Sequence, residues 1–403
     1  MSNKLISIPP FTPSLCLYLQ YFNHRLANHS NATGEESQNA LQANFNSALA
    51  VCSMVPLVIC TCLTSILHQR FSQKIRILAS LVAILVVFCV TAIFVKMVIN
   101  PVAFFALTMI KIIIINAFGA ILQGSLNGMA GVLPDGYTTP ILIGQGLAGI
   151  VAALAMILAI ASSSDLMDCT LGYFITACIV IGFTIVSYII LQNLKFYRYY
   201  LEKNQKDQAL QRQLIRNGDS SRGMSTTPKF WTIFKKIRVI ALSVCCTFAI
   251  TLSIFPAVAA DVKSTVANGG FSGQYFIPAW CFLSFNMFDL VGRSLTYGCK
   301  WPWKDSKLLL LLVLVRLIFV PLFMLCNVQP RSSFVVFSSD IWFIVFIILF
   351  AFSSGYLTSL CMCLYPKLVD AHETETAGTI MTFFMALGLA LGASFSFLFR
   401  RVI

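Results

Sequence analysis

Ile77-Leu78-Ala79-Ser80-Leu81-Val82-Ala83-Ile84-Leu85-Val86-Val87-Phe88-Cys89-Val90-Thr91-Ala92-Ile93-Phe94-Val95-Lys96-Met97-Val98 runs for 22 residues with one charge. At 1.5 Å per helical residue that is enough to cross the ~30 Å hydrocarbon core of a bilayer. The run is not alone. Comparable stretches fall at 45–67, 102–124, 141–161, 171–192, 237–260, 276–299, 307–327, 341–365 and 377–400, and a weaker one at 13–26. The chain is therefore read as an all-α polytopic membrane protein, with ten full spans and a short first one. A transmembrane barrel would need alternating strands of about ten residues, and the sequence has none.

Composition agrees. Of 403 residues 58% are hydrophobic and 11% charged, and the mean hydropathy is +0.82. An ordinary soluble domain carries roughly 25% charge, so a soluble enzyme or a nucleic-acid-binding domain is excluded despite the net charge of +13. Most of the fourteen cysteines sit inside apolar runs, with no CxxC, and read as small hydrophobes rather than a disulfide or metal framework. No HExxH, GxSxG or Walker pattern is present, and no cofactor or metal is implied.

Charge placement orients the chain. The loops at 68–76, 134–140, 193–238, 300–307 and 367–376 hold 18 Lys and Arg, whereas those at 27–44, 99–101, 162–170, 261–275 and 328–340 hold 2. Positive charge marks the cytoplasmic side. The N-terminus is then cytoplasmic and the C-terminus extracellular, with Arg400 and Arg401 against the rule. Asn28 and Asn31, each in an N-x-[ST] match, fall in the extracellular loop 27–44, as glycosylation requires. The polar, basic stretch 193–236 reads as a solvated cytoplasmic linker. Its start, Lys195 to Tyr200, reads as a continuation of the preceding helix into the headgroups. Ser220, Ser221, Ser225, Thr226 and Thr227 are candidates for phosphorylation, against an unmodified tether. The linker separates residues 1–192, with spans 1–6, from 237–403, with spans 7–11, the organisation of a two-half transporter.

Charges inside hydrocarbon are expensive and usually functional. Asp289 is the one acid within an expected span. Arg293 follows at i+4 and Asn286 precedes by three, so the eighth span carries one polar stripe. A second stripe on the fourth span holds Asn116, Gly119, Gln123 and Asn127. Gln123 both donates and accepts, which suits a neutral polar solute. Plainer readings stand beside these: a helix-locking ion pair, and packing for Gly124 and Gly128. Gly144-Gln145-Gly146-Leu147-Ala148-Gly149 and Gly388/Gly392 read as packing faces. Pro56, Pro256 and Pro321 are expected to kink their spans. Lys111 and Arg316 lack an acid in their own spans; snorkelling and capping of free carbonyls stay open for both. With its sole intramembrane carboxylate in reach of an arginine, the chain favours passive facilitated diffusion over coupled transport.

The runs Asn116-Ala117-Phe118-Gly119-Ala120-Ile121-Leu122-Gln123-Gly124-Ser125-Leu126, Gly144–Gly149, Phe285–Arg293, Phe352–Met362 and Glu375-Thr376-Ala377-Gly378 resemble the equilibrative nucleoside transporter family, closest to its vertebrate plasma-membrane members, over 21–403. The resemblance implies an eleven-span, major-facilitator-like 6+5 bundle in the plasma membrane. It implies sodium-independent, bidirectional movement of purine and pyrimidine nucleosides by alternating access. By position, Gln123 would bond the nucleobase. Asp289 and Arg293, with Asn286 beside them, would address the ribose. Met54, Leu57, Phe255, Phe282 and Leu389 would form apolar walls, and Gly119 would set sensitivity to nitrobenzylthioinosine-type inhibitors. The expected partners are nucleosides and lipid, with no nucleic acid; a homo-oligomer is compatible.

The beginning departs from the family, whose first span carries a Pro-Trp-Asn run and a pore-facing Met. Aligned on Tyr21-Phe22, those Trp, Asn and Met positions are Thr12, Pro13 and Cys16. A helix over 13–26 would be about 21 Å long, and its prolines do not suit a signal peptide. Two further readings follow: a transport-impaired isoform that acts by interaction, and a facilitator of another small polar solute such as a nucleobase.

Overall fold

The computed structural model describes residues 35–402, except 68–69, 96, 98–100, 134–136, 162–165, 204–205, 207–208, 210–229, 264–275, 303–305, 330–334 and 371–372. The expected short span at 13–26 and the sequons at Asn28 and Asn31 lie outside the described residues.

Among the described residues the main α-helices, in chain order, are α1 Glu35–Leu67, α2 Gln73–Val95, α3 Pro101–Val132, α4 Thr138–Ala161, α5 Leu166–Asn193, α6 Phe230–Ile254, α7 Ser284–Leu295, α8 Ser306–Val315, α9 Phe319–Met324, α10 Asp340–Leu364 and α11 Thr374–Val402. Nine segments among the described residues are long and apolar enough to cross a membrane, and the chain is a multi-pass membrane protein. Their outer faces carry exposed apolar side chains at helical spacing, such as Val51, Val55 and Ile59 on α1 and Ile175, Ile179 and Phe183 on α5. Such faces are suited to lipid.

Several of the expected boundaries need correction. Ten residues of the expected loop 27–44, from Glu35 on, are already helical in α1. The linker is helical at both ends: 195–203 forms its own helix after a break at Leu194, and α6 begins at Phe230 rather than 237. The expected span 276–299 is not one α-helix. It opens with a π-helical segment, Ile277–Leu283, with Pro278 in its first turn, and continues as the twelve-residue α7. The wide turns let Ser284 Oγ donate five residues back to Ala279 O, at 3.1 Å. Pro56 lies inside α1, with helix on both sides of it. By contrast α6 stops at Ile254, just before Phe255 and Pro256, where proline supplies no N–H to extend the ladder.

Where helices cross, glycine sets the distance. On α11, a Cβ at Gly392 would sit 2.6 Å from Ala249 O, and Gly388 lies as close to Cys245 O, so α11 rests on the α6 backbone. Gly378 meets the α3 backbone at Asn127 and Gly128. Gly292 of α7 and Gly355 of α10 press backbone to backbone. Small residues permit this approach where lipid provides no hydrophobic drive between helices. α10 starts at a Ser339 cap, whose hydroxyl accepts from Ile341 N, with Asp340 in the first turn against the positive helix end.

The linker end of the bundle is tied across several helices. Ser65 Oγ donates to Thr379 O at 2.9 Å, joining α1 to α11. Arg76 Nη2 pairs with Glu375 Oε1 at 2.6 Å, joining α2 to α11. Tyr365 OH donates to Asn127 O at 2.8 Å, and Thr139 Oγ1 lies 3.4 Å from Cys363 Sγ. Lys236 at the start of α6 bonds Asp370 and Glu373, at 2.9 and 2.7 Å.

Candidate functional site

The polar stripe of α7 is built as its spacing implies. Arg293 Nε donates to Asp289 Oδ2 at 2.7 Å, one helical turn apart. Both side chains are about nine-tenths buried, at 10% and 11% exposure. A carboxylate buried in hydrocarbon would cost far more without this cation beside it. Arg293 also reaches off its helix, with Nη1 donating to Gln145 Oε1 on α4 at 3.1 Å. Asn286 is committed to the same contact region. Its Nδ2 donates back to Phe282 O at 2.8 Å, and its Oδ1 lies where a Cβ on Gly149 of α4 would have to go. One turn along, Leu290 fills the equivalent place at Gly146.

The α3 stripe is buried throughout: Asn116, Gly119, Gln123 and Asn127. Asn116 Nδ2 is occupied by Ile112 O at 2.9 Å, and Asn127 Nδ2 by Thr382 Oγ1 of α11 at 2.8 Å. Gln123 differs. Its Nε2 lies 3.4 Å from Asn127 Oδ1, a long bond. Its Oε1 is buried with no hydrogen-bond partner among the described residues. A buried acceptor left unmet costs about 1–3 kcal/mol, so this atom is ready for an N–H donor.

The expected apolar walls divide in two. Met54, Leu57 and Leu389 pack in one cluster with Leu252 and Ala393, joining α1, α6 and α11. Phe255 and Phe282 belong to another, where Phe255 stacks on Phe285 at 3.9 Å between centroids and meets Phe282 edge-on at 5.5 Å. Leu252, in the last turn of α6, and Phe255, just past its end, lead from one to the other. Among the described residues no hydrogen bond joins Gln123 to the Asp289–Arg293 pair.

Two functional candidates, Gln145 and Arg76, were missed in the sequence, whereas Gly149 packs as its glycine-rich face suggests. Gln145 reads as packing because glycines flank it, yet it is the acceptor for Arg293. Gly149 leaves room for Asn286. Arg76, counted as a loop charge, lies in α2 and is 8% exposed. Of the two undecided cations, Lys111 sits over the Phe94 ring at 4.6 Å, and Arg316 turns inward rather than snorkelling, with 2% exposure.

The chain compares with known proteins as follows. A family model described as "Nucleoside transporter" matches residues 109–401. Equilibrative nucleoside transporter 1 of Homo sapiens is 51% identical over 95% of this chain and 92% of its own length. Equilibrative nucleoside transporter 2 of Homo sapiens is 44% identical over 96% and 92%. Among solved structures, the human organic anion transporter MFSD10 superposes with a TM-score of 0.54 at 12% identity, covering 96% of this chain and 94% of that one. The Major Facilitator Superfamily transporter FucP, in its outward conformation, gives 0.52 at 13%, covering 97% and 98%. At such low identity these two show the fold alone, which is major-facilitator-like.

Proposed function

The chain belongs to the nucleoside transporter family, and on that footing we propose that it moves purine and pyrimidine nucleosides across the plasma membrane by sodium-independent facilitated diffusion. The observation that carries the reading is 51% identity over 95% of the chain to a protein named as an equilibrative nucleoside transporter. The buried, unmet Gln123 Oε1 and the paired Asp289 and Arg293 support it chemically. In this reading Gln123 accepts an N–H from the nucleobase. Asp289 accepts from, and Arg293 donates to, the ribose hydroxyls. Asn286 holds α7 against α4 beside them. Met54, Leu57, Phe255, Phe282 and Leu389 supply apolar surface for the base and sugar faces, and Gly119 sets sensitivity to nitrobenzylthioinosine-type inhibitors.

A neutral solute needs no counter-ion, and the intramembrane carboxylate is already matched by Arg293. Net movement then follows the nucleoside gradient, in either direction. Alternating access requires residues 1–192 and 237–403 to rock about the site, joined by the linker. The ties Ser65–Thr379, Arg76–Glu375, Tyr365–Asn127 and Thr139–Cys363 all run between these two parts at the linker end. With the basic linker cytoplasmic, the N-terminus inside and Asn28 and Asn31 glycosylated outside, this arrangement is the one closed to the cytoplasm. Opening inward breaks those ties, and each is replaceable by water.

Purified protein in liposomes tests the reading. Uptake of labelled uridine that persists when sodium and proton gradients are collapsed is the expected result. Uptake that vanishes with either gradient contradicts facilitated diffusion, and no uptake of any nucleoside contradicts the substrate class.

A further inference from the structure

Arg316 stands in the middle of a membrane-length segment, Lys307–Met324, at a short 3-10 turn between α8 and α9. It is 2% exposed, and no carboxylate lies within ion-pair reach of it among the described residues. A charge at that depth without a direct ion pair is expensive and usually functional. Its guanidinium is instead spread over two helices. Nε donates to Ser353 Oγ at 3.1 Å and Nη2 to Phe350 O at 3.2 Å, both on α10. Nη1 donates to Thr247 O at 3.3 Å and Nη2 to Thr251 Oγ1 at 3.1 Å, both on α6. Its plane also lies 4.7 Å from the centroid of the Phe350 ring.

What lies beyond those acceptors gives the arrangement meaning. Thr251 and Ser354 hydroxyls meet at 3.1 Å. The next residue, Gly355, abuts the carbonyl of Asp289, and Phe352 O abuts Gly292. One turn of α10, Phe352–Gly355, thus faces Arg316 through Ser353 and α7 through its neighbours. In parallel, Phe350 packs against Phe285 at 6.3 Å, and Phe285 stacks on Phe255. Two routes therefore lead from one guanidinium to the Asp289 backbone and to the aromatic wall.

We propose that Arg316 is a positioning residue for nucleoside binding: it clamps α6 to α10 and so holds Asp289 and the Phe255–Phe285 stack in place without touching substrate. The inference rests on the transport reading above. A planar fork with several donors suits this task, and an ammonium, with three donors at one point, cannot serve all four acceptors at once.

The test is uridine uptake in proteoliposomes at equal transporter density, with melting temperature measured alongside. For Arg316→Met, which keeps length and apolar bulk, KM is expected to rise about tenfold with Vmax within about twofold. Arg316→Lys should lie between. Thr251→Val should raise KM alone, and adding it to Arg316→Met should add little, because both act through one network. If Arg316→Met does not accumulate, Arg316→Lys and Thr251→Val decide the matter. KM unchanged in the variants that accumulate overturns the proposal, even where melting temperature falls, since that is what a structural staple alone would do. An unsubstituted protein that neither transports uridine nor is heat-stabilised by it overturns the transport reading, and this inference with it.

Discussion

Arg293 donates to Gln145 Oε1 at 3.1 Å, so the guanidinium that neutralises Asp289 also ties α7 to α4. Gln145→Leu removes the acceptor and leaves Arg293 Nη1 in an apolar contact. Losing a partner to a buried charged donor costs about 1–3 kcal/mol, so KM for uridine should rise by roughly tenfold. Concentration-dependent uptake by the variant checks this; an unchanged KM would mean that the bond does not hold the pair in its working position.

Gly355 is the tightest constraint behind Asp289. A methyl group there would collide with the Asp289 carbonyl, and one on Gly292 would sit 2.8 Å from Tyr356 N. Overpacking of this kind costs about 1–3 kcal/mol. Gly355→Ala should lower both the melting temperature and uridine uptake. Gly182→Ala is the control: nothing lies within 4 Å of its added methyl, and it should behave as the unsubstituted protein.

These contacts show what the sequence can carry. Each span was legible because about twenty apolar residues have few other stable places to go. The Asp289–Arg293 pair was legible because i and i+4 share a helix face. The break at Ile277–Leu283 was not, since hydropathy is blind to helix pitch; Pro278 was the one hint. Gln145 was hidden by its glycine neighbours. Arg316 could not be resolved because two of its acceptors are backbone carbonyls, of Thr247 and Phe350, 69 and 34 residues away. Only packing brings these within reach.

The Arg76–Glu375 pair, at 2.6 Å with Arg76 8% exposed, should help keep the linker end shut. Glu375→Gln retains shape and removes the charge, leaving the guanidinium unpaired. Hydrogen–deuterium exchange in the first turns of α11 and the last turns of α3 should then rise, while exchange in the middle of α10 stays low. Equal exchange in both proteins would assign closure to the glycine contacts instead.

Gln123 Oε1 is a buried acceptor with no hydrogen-bond partner among the described residues. Gln123→Leu should weaken uridine binding about tenfold or more, because a site built around a hydrogen bond loses it. Inhibition of labelled uridine uptake by free uracil and by free ribose separates the parts. The loss should fall on uracil, while Asp289→Asn should affect ribose. The reverse pattern would exchange the two roles.

Counterflow tests the central claim most directly. Liposomes holding the purified protein are loaded with unlabelled uridine and diluted into labelled uridine, with no sodium or proton gradient. A carrier working by alternating access should accumulate label transiently above its equilibrium level, and Asp289→Ala should abolish the overshoot. Label that only equilibrates, or that enters solely when an ion gradient is imposed, would contradict the account.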